Sequence, residues 1–174
     1  LHEEVPRNLE IKVRFDDISL AERIAVEVGA ELKDDFIQID TYFKVGDGRL
    51  KMREFNTGGA ELIFYRRDET RDKRWSDYRV LKVSNAGELK VLLSEALGVD
   101  VIVEKRRRVF IYKNARIHID TVKGLGNFIE FEVVDNGGDV VGLMDFLIDK
   151  FSLRDAEFVR VSYSDLLKQN QVNK

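Results

Sequence analysis

The chain contains no cysteine. That absence excludes a disulfide framework, a thiolate metal site and a cysteine nucleophile. Histidine is scarce: His2 and His118 are the only two, too few for a multi-histidine metal centre. Proline occurs once, at Pro6, and no proline-, glycine- or serine-rich stretch breaks the 174 residues. Nothing marks a boundary, and the length suits one domain spanning residues 1–174, with an ordered core over about 7–168. No apolar run approaches the roughly 18–20 residues of a membrane-spanning helix. The start, Leu1-His2-Glu3-Glu4-Val5-Pro6, is polar and acidic and lacks the pattern of a secretory signal. The expectation is a cytoplasmic protein with no membrane partner. An excess of one charge is also missing. Lys plus Arg is 29 and Asp plus Glu is 32, a formal net of −3. A dedicated nucleic-acid-binding domain would be clearly basic, so no nucleic-acid partner is expected.

What the chain does have is charge in quantity, 35% of its residues, interleaved with 44% hydrophobic residues at a period of two. That period marks strands. Leu9, Ile11, Val13 and Phe15 share one face of the first segment, with Asn8, Glu10, Lys12 and Arg14 on the other. Further strands are expected over 36–43, 49–53, 61–67, 76–83, 101–112, 116–121 and 128–134, with turns at Gly46-Asp47-Gly48, Thr57-Gly58-Gly59, Lys113-Asn114 and Gly124-Leu125-Gly126. Asp68 to Trp75 reads as a charged loop. Helices are expected from Asp17 or Ser19 to about Val28, over 86–97 and 141–151, and briefly over 164–168, after which Gln169 to Lys174 should fray.

Strand after strand, the face opposite the apolar one is charged. A sheet with one solvated face would explain this, as in many antiparallel sheets. A sheet closed into a barrel, with helices outside, would instead put those charges inside around water and a polyanionic ligand, without a packed core. In that arrangement Arg and Lys suit phosphate oxygens through charge-assisted bonds. Carboxylates among them suit Mg2+ or Mn2+.

Asn8-Leu9-Glu10-Ile11-Lys12 resembles the Glu-x-Glu-x-Lys signature of the CYTH superfamily, the triphosphate tunnel metalloenzymes. Gln38-Ile39-Asp40-Thr41-Tyr42-Phe43, Leu50-Lys51-Met52-Arg53-Glu54, Val103-Glu104-Lys105-Arg106-Arg107 and Ile117-His118-Ile119-Asp120 look like its internal motifs. Gly124-Leu125-Gly126-Asn127-Phe128-Ile129-Glu130 and Ser162-Tyr163-Ser164-Asp165-Leu166-Leu167 look most like the class IV adenylyl cyclase branch. The resemblance implies an α+β fold: a closed or nearly closed eight-stranded antiparallel β-barrel, the triphosphate tunnel, with peripheral helices. It implies Mg2+ or Mn2+ as cofactor, a nucleoside triphosphate or other triphosphate as ligand, and a homodimer in several members. The activity implied first is conversion of ATP to cyclic AMP and pyrophosphate. The alternative is a triphosphatase acting on tripolyphosphate, thiamine triphosphate or nucleoside triphosphates. A non-catalytic polyphosphate- or nucleotide-binding module is the third reading.

Carried over by position, Glu10 and Lys12 would be the catalytic pair. Lys12, Arg14, Lys51, Arg53, Arg67, Lys105 and Arg107 would bind the triphosphate. Glu10, Asp120, Glu130 and Glu132 would hold metal, with Asn8, Asp40, Arg116 and His118 as accessory residues. Asn8 departs from the signature, whose first position is Glu. An amide oxygen can ligate a cation but brings no charge, which should weaken metal binding without removing triphosphate binding. His118 is read as a cross-strand hydrogen-bonding residue rather than a proton carrier. Arg106 and Arg108 should point outward and be merely solvated, and Trp75 reads as a local packing residue ahead of the alternative of stacking on a nucleobase. Lys73 and Arg74 either cap the tunnel or are surface charges. Gly124-Leu125-Gly126 lacks the helix and the Lys-Ser/Thr of a P-loop, so it reads as a hairpin turn.

Overall fold

A computed structural model describes residues 7–67 and 74–173, without the side chains of residues 67 and 74–76. The elements run β1 (Arg7–Arg14), α1 (Ile18–Glu27), β2 (Glu31–Phe43), β3 (Arg49–Phe55), β4 (Ala60–Arg67), β5 (Arg74–Val83), α2 (Ala86–Leu97), β6 (Val99–Tyr112), β7 (Ala115–Val122), β8 (Gly126–Val134), α3 (Val140–Lys150) and α4 (Tyr163–Val172). The strands form one closed barrel in the order β1-β5-β4-β3-β2-β6-β7-β8, every pairing antiparallel. This is the eight-stranded α+β barrel with peripheral helices that the resemblance implied.

The period-two pattern builds it. Short connections join β2 to β3, β3 to β4, β6 to β7 and β7 to β8, so sequence neighbours pair. The turn before β3 needs glycine at Gly48: its φ is +69°, and a Cβ there would stand 2.7 Å from the Phe64 ring. The outward faces of β1, β7 and β8 bury Leu9, Ile11, Ile117, Phe131 and Val133 against Ala21 and Ala25 of α1 and Met144 and Leu147 of α3. That is the outer core.

A second core lies inside the barrel. Tyr42, Ile63, Tyr65, Val101, Val103, Val122 and Phe128 pack there with Tyr163. The expectation of an interior without packing is therefore corrected: one part is filled with apolar side chains, and the charged cavity occupies the rest. The segment before α4 brings Tyr163 in. Val13 forms an isolated bridge with Phe158, and the Val159 N–H donates to the Lys12 carbonyl at 2.8 Å.

Several boundaries differ from the sequence reading. β2 begins at Glu31, because β6 is long enough to pair it through a register shift between Leu32 and Asp34. α4 runs to Val172 rather than fraying after Lys168. Ser162 caps its start, and Arg49–Asp165 (2.8 Å) and Lys168–Asp100 (2.9 Å) tie it down. Arg106 and Arg108 do face outward, but they are paired: Arg106 makes two hydrogen bonds to Asp35, at 2.9 and 2.7 Å, and Arg108 bonds Glu22 of α1. The expected loop 68–75 and the readings of Lys73, Arg74 and Trp75 lie outside the described residues or side chains. No helix among the described residues is long and apolar enough to cross a membrane.

Candidate functional site

The unpacked part of the barrel is a cavity of about 600 Å³. Inward positions on successive strands line it, so its chemistry follows from strand parity. Lys12 comes from β1, Gln38 from β2, Lys51 and Arg53 from β3, Lys105 and Arg107 from β6, His118 from β7, and Glu130 and Glu132 from β8. Lys12, Lys51, Lys105 and Arg107 are each under 10% exposed. Charges so deep persist only when carboxylates face them.

Two aspartates do most of this. Asp40, 1% exposed, accepts from Arg53 Nε (3.0 Å) and Nη2 (3.1 Å), from Lys51 Nζ (2.7 Å) and from Gln38 Nε2 (3.1 Å). Burial works to raise its pKa, but Arg53, Lys51 and Lys105 outweigh it and hold the carboxyl well below the usual range. Asp120 is fully buried and accepts from Arg107 Nε (2.8 Å) and Nη2 (2.7 Å) and from the Tyr163 hydroxyl (2.7 Å). Burial again opposes ionisation, yet Arg107 and Lys105 hold it down to about 2. Each guanidinium thus spends Nε and Nη2 on its aspartate and keeps Nη1 for another acceptor.

Glu130 sits at a junction. Lys12 stands 3.5 Å away, Arg107 Nη2 donates at 3.3 Å, and His118 Nδ1 lies at 3.3 Å. Against the penalty of burial, Lys12, His118 and Arg107 keep its carboxyl well below the ordinary value. Burial, then Arg107, push His118 down, and the single N–H of the neutral imidazole serves Glu130 through Nδ1, while Nε2 stands 3.7 Å from Glu132. Glu132 also meets Arg116 at 3.1 Å and accepts from the Asn8 amide.

Lys105 is the exception. Among the described residues no carboxylate lies within ion-pair distance of it; its ammonium sits 5.0 Å from the Tyr163 ring centre, with Lys12 4.1 Å from the same ring. Burial, then Arg107, push its pKa down to about 7.

The structure brings together most of the residues singled out by sequence, but not all. Arg14 is exposed, donates to the Leu125 carbonyl at 3.0 Å, and lies over the Phe128 ring away from the cavity lining. The Arg67 side chain lies outside the described set. Tyr163, Gln38, Tyr42, Tyr65 and Glu61 were given no role from sequence, yet they line the cavity. Strand parity with Asp40 and Arg67 could have placed Gln38, Tyr42, Tyr65 and Glu61. Nothing local could have placed Tyr163, which arrives from outside the sheet.

Residues 6–139 match the CYTH domain. The chain belongs to the CYTH domain family. No curated protein matches it. Among solved structures, this CYTH chain is similar to the PH1012 protein of Pyrococcus horikoshii OT3 (20% identity, TM-score 0.83, covering 91% of this chain and 98% of that one). It is also similar to a proposed adenylate cyclase from Vibrio parahaemolyticus (17%, 0.76, 95% and 99%). A third is HpAC1 from Hippeastrum, a proposed adenylyl cyclase described as having a dominant triphosphatase activity (11%, 0.71, 95% and 96%). At these identities the likeness is one of fold.

CYTH enzymes of the triphosphate tunnel type generally depend on a divalent metal. Among the described residues no three His, Cys, Asp or Glu side chains form a ready-made ion cage. The donors are nevertheless of the right kind. Asn8 Oδ1 is a buried oxygen with no hydrogen-bond partner among the described residues, and Glu10 lies beside it on the inward face of β1, opposite Glu132. Hard-oxygen sites for Mg2+ need only one or two carboxylates, because water and substrate phosphates complete the shell.

Proposed function

We propose that this CYTH protein binds a triphosphate in the barrel cavity and breaks a phosphoanhydride bond within it, with Mg2+ or Mn2+ as cofactor. The observation that carries this reading is the cluster of Lys12, Lys51, Arg53, Lys105 and Arg107 around one cavity, its guanidiniums fixed by buried aspartates with Nη1 unspent. Donors fixed before the ligand arrives lose little entropy on binding and need no rearrangement as charge moves during reaction.

Each residue then has a task. Arg53 and Arg107 hold phosphate oxygens through Nη1. Lys51 and Lys105 add point charges on either side, and Lys12 faces the same phosphates from β1. Asp40 and Asp120 are positioning residues: they set the guanidinium planes. Glu10, Glu132, Glu130 and the orphaned Asn8 oxygen would hold the cation, which supplies charge neutralisation at the phosphates and the leaving group. Asp120 was expected among the metal ligands, but its bonds to Arg107 and Tyr163 favour the positioning role. His118, neutral and bonded to Glu130, orients that carboxylate.

The leading activity is cyclisation of ATP. The ribose 3′-hydroxyl oxygen attacks the α-phosphorus, the bond from that phosphorus to the bridging oxygen breaks, and pyrophosphate leaves with the hydroxyl proton. Hydrolysis is the second reading; it is favoured by the open polar cavity, where water can reach the terminal phosphorus, and by Asn8 in place of a charged ligand. The test is to incubate the protein with ATP, tripolyphosphate or thiamine triphosphate, each with Mg2+ or Mn2+, and resolve the products. Cyclic AMP with pyrophosphate is the expected outcome for the first reading and orthophosphate for the second. Binding without either product contradicts both and leaves a binding module.

A further inference from the structure

The connection from β8 to α3 carries chemistry that the cavity does not use. It runs Asp135-Asn136-Gly137-Gly138-Asp139, and all five residues are exposed. Of the eight asparagines in the chain, only Asn136 is followed by glycine. A side chain on the following residue crowds the approach of its backbone nitrogen to the asparagine carboxamide, and glycine has none. Gly137 has a φ of +82°, and a Cβ built there would meet nothing within 4 Å, so the space around this peptide is open.

Three features suit attack of the Gly137 nitrogen on Asn136 Cγ. Asp135 Oδ1 accepts from the Gly137 N–H at 3.1 Å, and among the described residues no cation pairs with this carboxylate. A base therefore stands on the proton that the attacking nitrogen must shed. The Gly138 N–H donates to Asn136 Oδ1 at 3.1 Å. That bond polarises the carboxamide and meets the oxygen on which negative charge gathers in a tetrahedral intermediate. The Asn136 amide nitrogen, which would leave, has no partner among the described residues. Other asparagines have theirs tied: Asn8 donates to Glu132, Asn114 to the Val134 carbonyl at 2.7 Å and Asn127 to the Asp16 carbonyl at 3.1 Å.

We propose that Asn136-Gly137 is a self-modification site, at which the folded loop converts Asn136 to isoaspartate and aspartate with water as the co-reactant. The Gly137 nitrogen gives its proton to Asp135 and bonds to Asn136 Cγ. The bond from Cγ to the amide nitrogen then breaks, and ammonia leaves with that proton, closing a five-membered succinimide. Water adds to one of the two ring carbonyls. Opening at the backbone carbonyl gives isoaspartate, and opening at Cγ gives aspartate; the balance is one water gained and one ammonia lost. Either product adds a negative charge. Isoaspartate also lengthens by one backbone carbon the segment that leads into Asp139, whose Oδ1 caps α3 by accepting from the Gly142 N–H at 2.8 Å.

The test is to age the folded protein and the same chain unfolded in guanidinium chloride, at one mildly alkaline pH, and to follow Asn136 by peptide mapping. Mass spectrometry reads the change of amide to carboxyl, and chromatography separates the isoaspartyl from the aspartyl peptide. The folded wild type should convert faster than the unfolded chain, because only the folded loop holds Asp135 and the Gly138 N–H in place. Asp135→Ser keeps an oxygen that can accept from the Gly137 N–H but is no base. It should slow conversion about tenfold in the folded protein, a small part of what a positioned base supplies inside an enzyme site, and leave the unfolded rate unchanged. Asn136→Gln should abolish the mass change in this peptide. A folded wild type that converts no faster than the unfolded chain would overturn the proposal, and that comparison needs no variant to fold. Equal effects of Asp135→Ser in the two states would overturn it as well, since the loop geometry would then contribute nothing.

Discussion

Asp40 and Asp120 each hold an arginine by paired hydrogen bonds and meet further donors, whereas Lys105 meets no carboxylate among the described residues. The sequence placed Asp40 as a ligand positioner and Asp120 as a metal ligand from motif likeness. It could not show that both would be spent on guanidiniums, because that depends on which strands the barrel brings side by side. Lys105 carries the clearest consequence at this scale. Burial, then Arg107, set it near 7 instead of 10.5, so in the empty protein it loses its proton as pH rises through about 7. Between those values the unfolded chain holds a proton that the folded protein has released, so this group's contribution to stability rises with pH across that window. A triphosphate entering the cavity favours the charged form. Binding of tripolyphosphate above pH 7 should therefore take up a proton, and affinity should fall as pH increases. Calorimetry in buffers of different ionisation heat measures the uptake, and Lys105→Met should abolish it. No uptake in the wild type would show that Lys105 does not meet the phosphates.

At the scale of elements, the strands were legible because one residue in two is apolar on each. Leu9, Ile11 and Val13 needed only their alternation to be assigned to the outer face, and they bury there against α1 and α3. The same alternation separated Lys105 and Arg107 from Arg106 and Arg108. What it could not reveal was the partner of each outward arginine, since Asp35 and Glu22 are distant in sequence. Nor could it reveal the inner core. Tyr42, Tyr65 and Phe128 lie on the charged parity of their strands, and their packing becomes apparent only when Tyr163 is brought among them by the segment before α4. That residue joins core and site, its ring edge against Phe128 and its hydroxyl on Asp120. Burial, then Asp120 and Glu130, keep its pKa well above the ordinary value, so it remains a donor throughout the physiological range. Tyr163→Phe keeps the ring and removes the bond. A hydrogen bond to a charged group is worth about 1.5–3 kcal/mol, so the variant should lose stability of that order in denaturant unfolding, with the ring's contacts to the lysines retained. A wild-type midpoint would mean that the hydroxyl does not hold Asp120.

The whole molecule separates charge by face. A net of −3 says little about a chain whose inward positions gather Lys12, Lys51, Arg53, Lys105 and Arg107 around one cavity. Near-neutrality was silent about a small polyanion site, because a closed barrel can hold a strong local field that the total does not register. The closure itself is the central claim, and adjacent arginines on β6 test it most directly. Arg107 faces the cavity and Arg106 faces solvent, 62% exposed in its side chain. Titration of the wild type, Arg107→Gln and Arg106→Gln with tripolyphosphate compares them at one step along the same strand. A charge-assisted bond is worth about 1.5–3 kcal/mol, so Arg107→Gln should weaken binding by roughly ten- to 150-fold, with Arg106→Gln indistinguishable from the wild type. Equal effects of the two substitutions, or an effect of Arg106→Gln alone, would contradict a triphosphate site inside the barrel.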